Sequence, residues 1–223
     1  GSGASLYLRP LEIGLTPSIG VKASSEYLFI IMVAPVGPYF KTGFGCTDIC
    51  IMREYDRVAP RGTGRYKCGG NYAASLTAGE HAHDLGYSAV LYLDPKEKKY
   101  LDECGPANFF AIKDGKYITP ASESILPSIT NKSLMQLAED MGITVERRHI
   151  PLEELAEIQE AAACGTAAVA SPVAEIDDLD TGVKYVVSKD GQPGPVVTAL
   201  YNKLRAIQLG EEEDIHGWNT VID

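Results

Sequence analysis

The longest apolar run in the chain, Tyr27–Val36, is of strand length, so no segment is long enough to cross a bilayer as a helix. Short apolar segments broken by glycine and proline must instead be gathered into one packed core, and most of the chain reads that way. Residues 26–36 read as a buried strand closed by Gly37-Pro38, and residues 47–52 as a second short strand. Residues 73–85 read as a helix ending at Gly86, and residues 88–93 as a strand stopped by Asp94-Pro95. Three short strands follow at 100–104, 107–113 and 116–119, the last two joined by Asp114-Gly115, a strong hairpin signal. Leu134, Leu137, Ala138 and Met141 lie on one face of a helix over 131–141, with Gly142 as its stop. Pro151 opens a further helix to about residue 162. Strands at 167–173 and 183–187 precede a final amphipathic helix over 195–209, stopped by Gly210. Residues 1–21, rich in glycine, proline and serine, read as irregular: an interdomain connection or a loop over an active site. Strands and helices are interspersed without regular alternation, which places the chain in the mixed α/β (α+β) class.

With 223 residues the chain can bury a substantial core, as one large domain or at most two small ones, and its net charge of −10 argues against nucleic acid or an anionic membrane as partner. Cys46, Cys50, Cys68, Cys104 and Cys164 form neither a CxxC pair nor zinc-ligand spacing. A reducing, cytoplasmic compartment fits them, and no metal site is expected. His81 and His83, two apart on a helix, point to different faces. The fingerprints GxGxxG, GxxxxGK[ST] and GxSxG are absent, which removes the common dinucleotide, triphosphate and hydrolase readings.

The chemistry is expected in residues 62–75. Lys67 and Tyr72 sit among Gly62, Gly64, Gly69 and Gly70, an odd composition for packing because glycine brings no side chain. Such glycines can make room for a ligand. An amine that forms a Schiff base needs a confined, partly desolvated site, since only its neutral form attacks a carbonyl. Lys67 is the candidate, weighed against the commoner case of a solvated surface lysine.

Gly62-Thr63-Gly64 followed by Lys67-Cys68-Gly69-Gly70-Asn71-Tyr72 resembles the cofactor-lysine segment of branched-chain amino-acid aminotransferases, fold-type IV pyridoxal-phosphate enzymes. The resemblance runs from Leu6-Tyr7-Leu8-Arg9-Pro10 to Gly217-Trp218. It implies a large cofactor-carrying domain, a mixed β-sheet pseudo-barrel flanked by helices, over 22–223, with 1–21 as the interdomain and active-site loop. The family's small N-terminal domain has no counterpart in this chain. The resemblance further implies pyridoxal 5'-phosphate bound through Lys67, with Tyr72 on its phenolate oxygen and Glu103, in Glu103-Cys104-Gly105, on its ring nitrogen. Pro106 stands where many members have threonine.

Ile125-Leu126-Pro127-Ser128-Ile129-Thr130 resembles the family's phosphate-binding helix start, which assigns the backbone of Ile129 and Thr130 to the phosphate. Ser128 replaces a common glycine there, and Asn131 a common arginine. Cys164-Gly165-Thr166-Ala167-Ala168 resembles a Gly-Thr-Ala-Ala motif, implying Thr166 on the phosphate and Ala167 and Ala168 beside the substrate. Taken alone, the first segment is an ordinary capped helix start and the second an ordinary turn. Tyr7 and Arg9 match a stretch lining the substrate pocket, partly across a homodimer, and Arg57 matches an arginine near the cofactor. The implied activity is transamination of leucine, isoleucine and valine with 2-oxoglutarate. The rivals are another fold-type IV activity, D-amino-acid transamination or aminodeoxychorismate cleavage, and a cofactor-binding fragment without turnover.

Overall fold

The computed structural model describes residues 4–37 and 44–222. They fall into two compact units, Gly1–Gly43 and Phe44–Asp223. The first is a two-stranded antiparallel ribbon of β1 (Ser5–Gly14) and β2 (Tyr27–Val36), paired from Ser5 with Val36 to Gly14 with Tyr27. The stretch expected to be irregular thus contains a ten-residue strand. Pro10 disguised it, yet a ribbon has two edges and tolerates a missing donor there. β2 is a strand as expected but is not buried: among the described residues it pairs only with β1, and most of its residues are exposed. Beyond the ribbon, Thr16 Oγ1 accepts from the Ser25 N–H at 2.8 Å, and Leu15 N–H donates to the Glu26 carbonyl at 2.9 Å. A Cβ on Gly14 would lie 2.9 Å from that of Ser24, which is why a glycine sits at this crossing.

The second unit is built on a mixed sheet. β3 (Thr47–Ile51) pairs parallel with β10 (Val169–Asp178), and β10 pairs antiparallel with β9 (Glu160–Gly165) and β11 (Val183–Val186). β9 pairs with β6 (Ala107–Lys113), β6 with β5 (Leu101–Cys104), and β5 with β4 (Leu91–Leu93). Cys50 in β3 returns to the start of β4 through an isolated bridge to Val90 and a 3.1 Å bond to the Ala89 carbonyl. The path therefore nearly closes on itself as a pseudo-barrel. β7 (Lys116–Pro120) extends from β6 and carries β8 (Val145–Arg148) in parallel.

Strand alternation sorts the side chains into separate cores. On β6, Phe109 and Ala111 join Ile49, Leu91, Leu101 and Ile176 in one cluster within the ring. Phe110 and Ile112 face the other way, against Leu134, Leu137, Val197 and Leu200 of α2 (Ile129–Asp140) and α3 (Pro195–Leu209). A third cluster seats Ala78 and Ala82 of α1 (Gly69–Asp84) on Cys50, Val90 and Tyr92.

The helix expected from Pro151 to about 162 is not formed. A 3-10 turn over Leu152–Glu157 gives way to β9. Glu160-Ala161-Ala162-Ala163 has helical propensity, but β9 lies between β6 and β10 and its pairing on both sides prevails. α1 begins at Gly69, four residues before its expected start, because the Asn71 side chain ties the first turn to the preceding loop. β10 runs to Asp178, beyond its expected end, and β8 has no counterpart among the expected strands.

Candidate active site

Glu103 and Asn108 are cross-strand partners on β5 and β6, on the sheet face that also carries Phe110 and α2. Glu103 is 3% exposed. Its Oε1 accepts from Asn108 Nδ2 at 2.9 Å, and its Oε2 from Arg57 at 2.7 Å and the Leu126 N–H at 3.4 Å. Burial pushes Glu103 up to about 7, while the Arg57 guanidinium pulls it down. Every partner is a donor, so the surroundings are arranged for the carboxylate form. A carboxylate offers about four lone-pair sites, so one remains for a further donor.

Arg57 is itself buried and also donates to the Ser124 carbonyl. Gly64 lies against the same Ser124 backbone, where any Cβ would collide. This close approach explains Gly64 and brings the glycine-rich loop to Glu103's side of the sheet. The loop is then wound around Asn71. Asn71 Nδ2 donates to the carbonyls of Thr63 at 2.8 Å and Tyr66 at 2.9 Å, and its Oδ1 accepts from the Thr63 hydroxyl at 2.6 Å. Lys67 follows directly. Its Nζ donates to the Tyr72 hydroxyl at 2.7 Å and lies 4.9 Å from the centre of that ring. Lys67 is exposed, not confined as expected. Gly69 and Gly70, which follow it, also face open space: a Cβ on either would meet nothing within 4 Å.

Ile129 and Thr130 are the first two residues of α2, so their N–H groups have no carbonyl four residues back in the helix. Ser128 caps the helix by accepting from the Asn131 N–H at 3.2 Å. The Asn131 side chain reaches Asn108, and Asn108 Nδ2 donates to the Leu126 carbonyl at 3.0 Å, so the helix start is tied to Glu103's strand pair. Thr166, Ala167 and Ala168 form the turn between β9 and β10. Since Cys164 pairs with Asn108, that turn leaves the sheet at the same end. Arg57, Glu103 and the α2 start with Ile129 and Thr130 are thereby linked, Thr166 stands at the same end of the sheet, and Gly64, three residues before Lys67, lies against Ser124 beside Arg57. Tyr7 and Arg9 lie on β1 in the other unit, where Arg9 donates to the Tyr7 hydroxyl at 2.6 Å.

A family model for "Amino-transferase class IV" matches residues 11–176. The chain belongs to the class IV aminotransferases. Among its curated relatives, the branched-chain-amino-acid aminotransferase of Helicobacter pylori is 48% identical over 220 residues, 97% of this chain and 63% of that protein. That of Haemophilus influenzae is 46% identical over 225 residues, 98% of this chain and 65% of that protein. The chain thus spans somewhat less than two thirds of each relative's length. A branched-chain amino acid aminotransferase from T.th., solved with pyridoxamine 5'-phosphate, superposes with a TM-score of 0.82 at 27% identity, covering 98% of this chain and 69% of that one.

In this class IV aminotransferase, sequence reasoning did not see how the site is held together. Asn71, Asn108, Ser124 and Asn131 carry no chemistry of their own, and in the sequence Asn131 stands out only as a departure from a common arginine. The available signal was an asparagine at a helix start or beside an aromatic strand, where a polar side chain is buried only if fully bonded.

Proposed function

We propose that this chain is the large, cofactor-carrying domain of a branched-chain-amino-acid aminotransferase, with residues 1–21 as its interdomain and active-site segment. It would bind pyridoxal 5'-phosphate and move amino groups from leucine, isoleucine or valine to 2-oxoglutarate. The observation that carries the reading is Glu103, a buried carboxylate ringed by three donors with one acceptor site left. The residues present fit the group: that free site suits a protonated ring nitrogen, and the first amides of α2 suit a phosphate. Gly69 and Gly70 leave open space beside Lys67.

When bound, the cofactor supplies an electron-withdrawing ring that stabilises negative charge at the substrate Cα. Glu103 would hold the ring-nitrogen proton, and Arg57 would keep Glu103 ionised while doing so. Ile129 and Thr130, through their N–H groups, and Thr166, through its hydroxyl, would hold the phosphate. Ala167 and Ala168 would border the substrate. Lys67 Nζ would be the attachment point and, once displaced by substrate amine, the base that takes the Cα proton and returns it. Tyr72, already bonded to Nζ, would orient it and hold the phenolate oxygen. Tyr7 and Arg9 would wall the substrate pocket.

A cytoplasmic homodimer completes the reading. Leu6 and Phe29 of the ribbon are 62% and 61% exposed, and a lone two-stranded ribbon is marginal in water. A partner subunit is one way to cover such faces.

Lys67's exposure favours one second reading, a domain that holds the cofactor without turnover. Adding pyridoxal phosphate to the chain and then leucine, D-alanine or aminodeoxychorismate separates the possibilities. Leucine alone should bleach the absorbance of the bound cofactor. A stable chromophore with every substrate would support the second reading, and a preference for D-alanine or aminodeoxychorismate would overturn the first.

A further inference from the structure

Behind Glu103 lies a run of buried polar side chains in which every donor is used and each side-chain amide oxygen accepts a bond. Asn108 Nδ2 donates to Glu103 Oε1 at 2.9 Å and to the Leu126 carbonyl at 3.0 Å, while its Oδ1 accepts from Asn131 Nδ2 at 3.1 Å. Asn131 Nδ2 also donates to Thr119 Oγ1 at 2.9 Å, and its Oδ1 accepts from the Tyr117 hydroxyl at 2.6 Å. The Thr119 hydroxyl donates to the Phe109 carbonyl at 2.7 Å. Asn108, Asn131 and Thr119 are 5%, 6% and 1% exposed, so water cannot substitute for a lost partner.

The run has a direction. Burial raises Tyr117 well above its ordinary value, so it stays protonated and donates. Its proton holds Asn131 Oδ1, which turns the Asn131 nitrogen toward Asn108. Asn108 must then accept with its oxygen, which leaves its nitrogen aimed at Glu103. Reversing Asn108 would set its carbonyl against the carboxylate and the Leu126 carbonyl, and reversing Asn131 would set its carbonyl against that of Asn108.

We propose that Asn131 is a positioning residue which, acting through Asn108, fixes the orientation and negative charge of Glu103 and holds that carboxylate in register with the first amides of α2. The proposal rests on the reading of Glu103 and the α2 start as the two ends of a pyridoxal-phosphate site. One side chain would then set the spacing between the ring-nitrogen contact and the phosphate contact. The other titratable groups acting on Glu103 are Arg57, Asp102 and the thiols of Cys104 and Cys164.

The test is a carboxyl 13C NMR titration of Glu103 in the cofactor-free chain. In Asn131→Asp an ionised side chain offers Asn108 Oδ1 no donor and sets oxygen against oxygen, which loosens Asn108 and weakens its bond to Glu103 Oε1. Its apparent pKa should rise by about one unit, roughly what one hydrogen bond to the charged form is worth. Pyridoxal phosphate should bind about 10-fold more weakly. Tyr117→Phe adds no charge and should shift Glu103 in the same direction by a smaller amount. It decides alone if the aspartate variant does not fold. An unchanged Glu103 titration in folded Tyr117→Phe would overturn the relay, because a shift seen only with aspartate is plain charge repulsion. Failure of the underlying reading shows elsewhere: a parent chain whose bound cofactor never responds to leucine would remove that reading and leave the Glu103 titration intact.

Discussion

Glu103 and Lys67 are placed in opposite ways. Glu103 sits on a paired strand, nearly inaccessible, with three hydrogen-bond donors and a hydrogen-bonded network behind it. Lys67 stands at the exposed start of a helix between a loop and two glycines, with one hydrogen bond from its side chain to Tyr72. The difference follows from what each would do. A group that holds a proton on a ring should not move, and burying a carboxylate costs several kcal/mol unless donors offset it, so the fold surrounds it with donors. A group that must attack, be displaced and carry a proton needs room to move as well as desolvation, and the described residues of this chain supply Lys67 with the first.

Four predictions press on that contrast. Lys67→Ala should lower transamination by about 1000-fold or more while changing stability by no more than about 0.5 kcal/mol, because its side chain is exposed. Steady-state rates and urea unfolding would show it, and a large stability loss would mean that Lys67 is part of the core after all. Glu103→Gln should do the reverse in stability, costing about 3 kcal/mol in urea unfolding, since it leaves Arg57 buried without its counter-charge. A neutral outcome would erase the contrast.

Asp102, the neighbour of Glu103, sharpens it. It is 3% exposed and its Oδ1 has no hydrogen-bond partner among the described residues. Burial pushes it up from its ordinary 3.8 to about 6, against the opposing pull of Ser122 and Arg57. The folded chain therefore keeps this proton at pH values where the unfolded chain has released it, and stability falls as pH rises from 3.8 to about 6. Asp102→Asn should remove the Asp102 part of that slope, leaving the part due to Glu103, and stabilise the chain above pH 6 by on the order of 3 kcal/mol, measured by unfolding across pH. Destabilisation at pH 8 would contradict this, because it would mean that the ionised Asp102 carboxylate is favourably held in the folded chain. The smallest effect is expected from Ser128→Ala, which removes the α2 cap and should cost about 1 kcal/mol in thermal unfolding.

The legible parts of the fold were those whose cause is local. α3 runs from Pro195 to Leu209 as expected, because proline suits a first helical turn and Gly210 ends it at φ 71°. Asp114 and Gly115 take φ values of 50° and 71°, the left-handed pair that closes a two-residue hairpin. What escaped had a distant cause. β9 looks helical until β6 and β10 flank it, and β1 looks irregular until β2 pairs with it. In the site, residues that react or bind were recognisable in their motifs. The bonds joining Asn108, Thr119, Tyr117 and Asn131 were not, because their partners come from separate elements and only the fold brings them together.

The central claim is that Lys67 is the one reactive amine of a site anchored by Glu103. Incubating the chain with pyridoxal phosphate, reducing with borohydride and mapping peptides by mass spectrometry tests it most directly. A pyridoxyl group on the peptide containing Lys67, with labelling lost in Lys67→Ala, is the predicted result. A label spread over surface lysines, or seated on any lysine but Lys67, would contradict it.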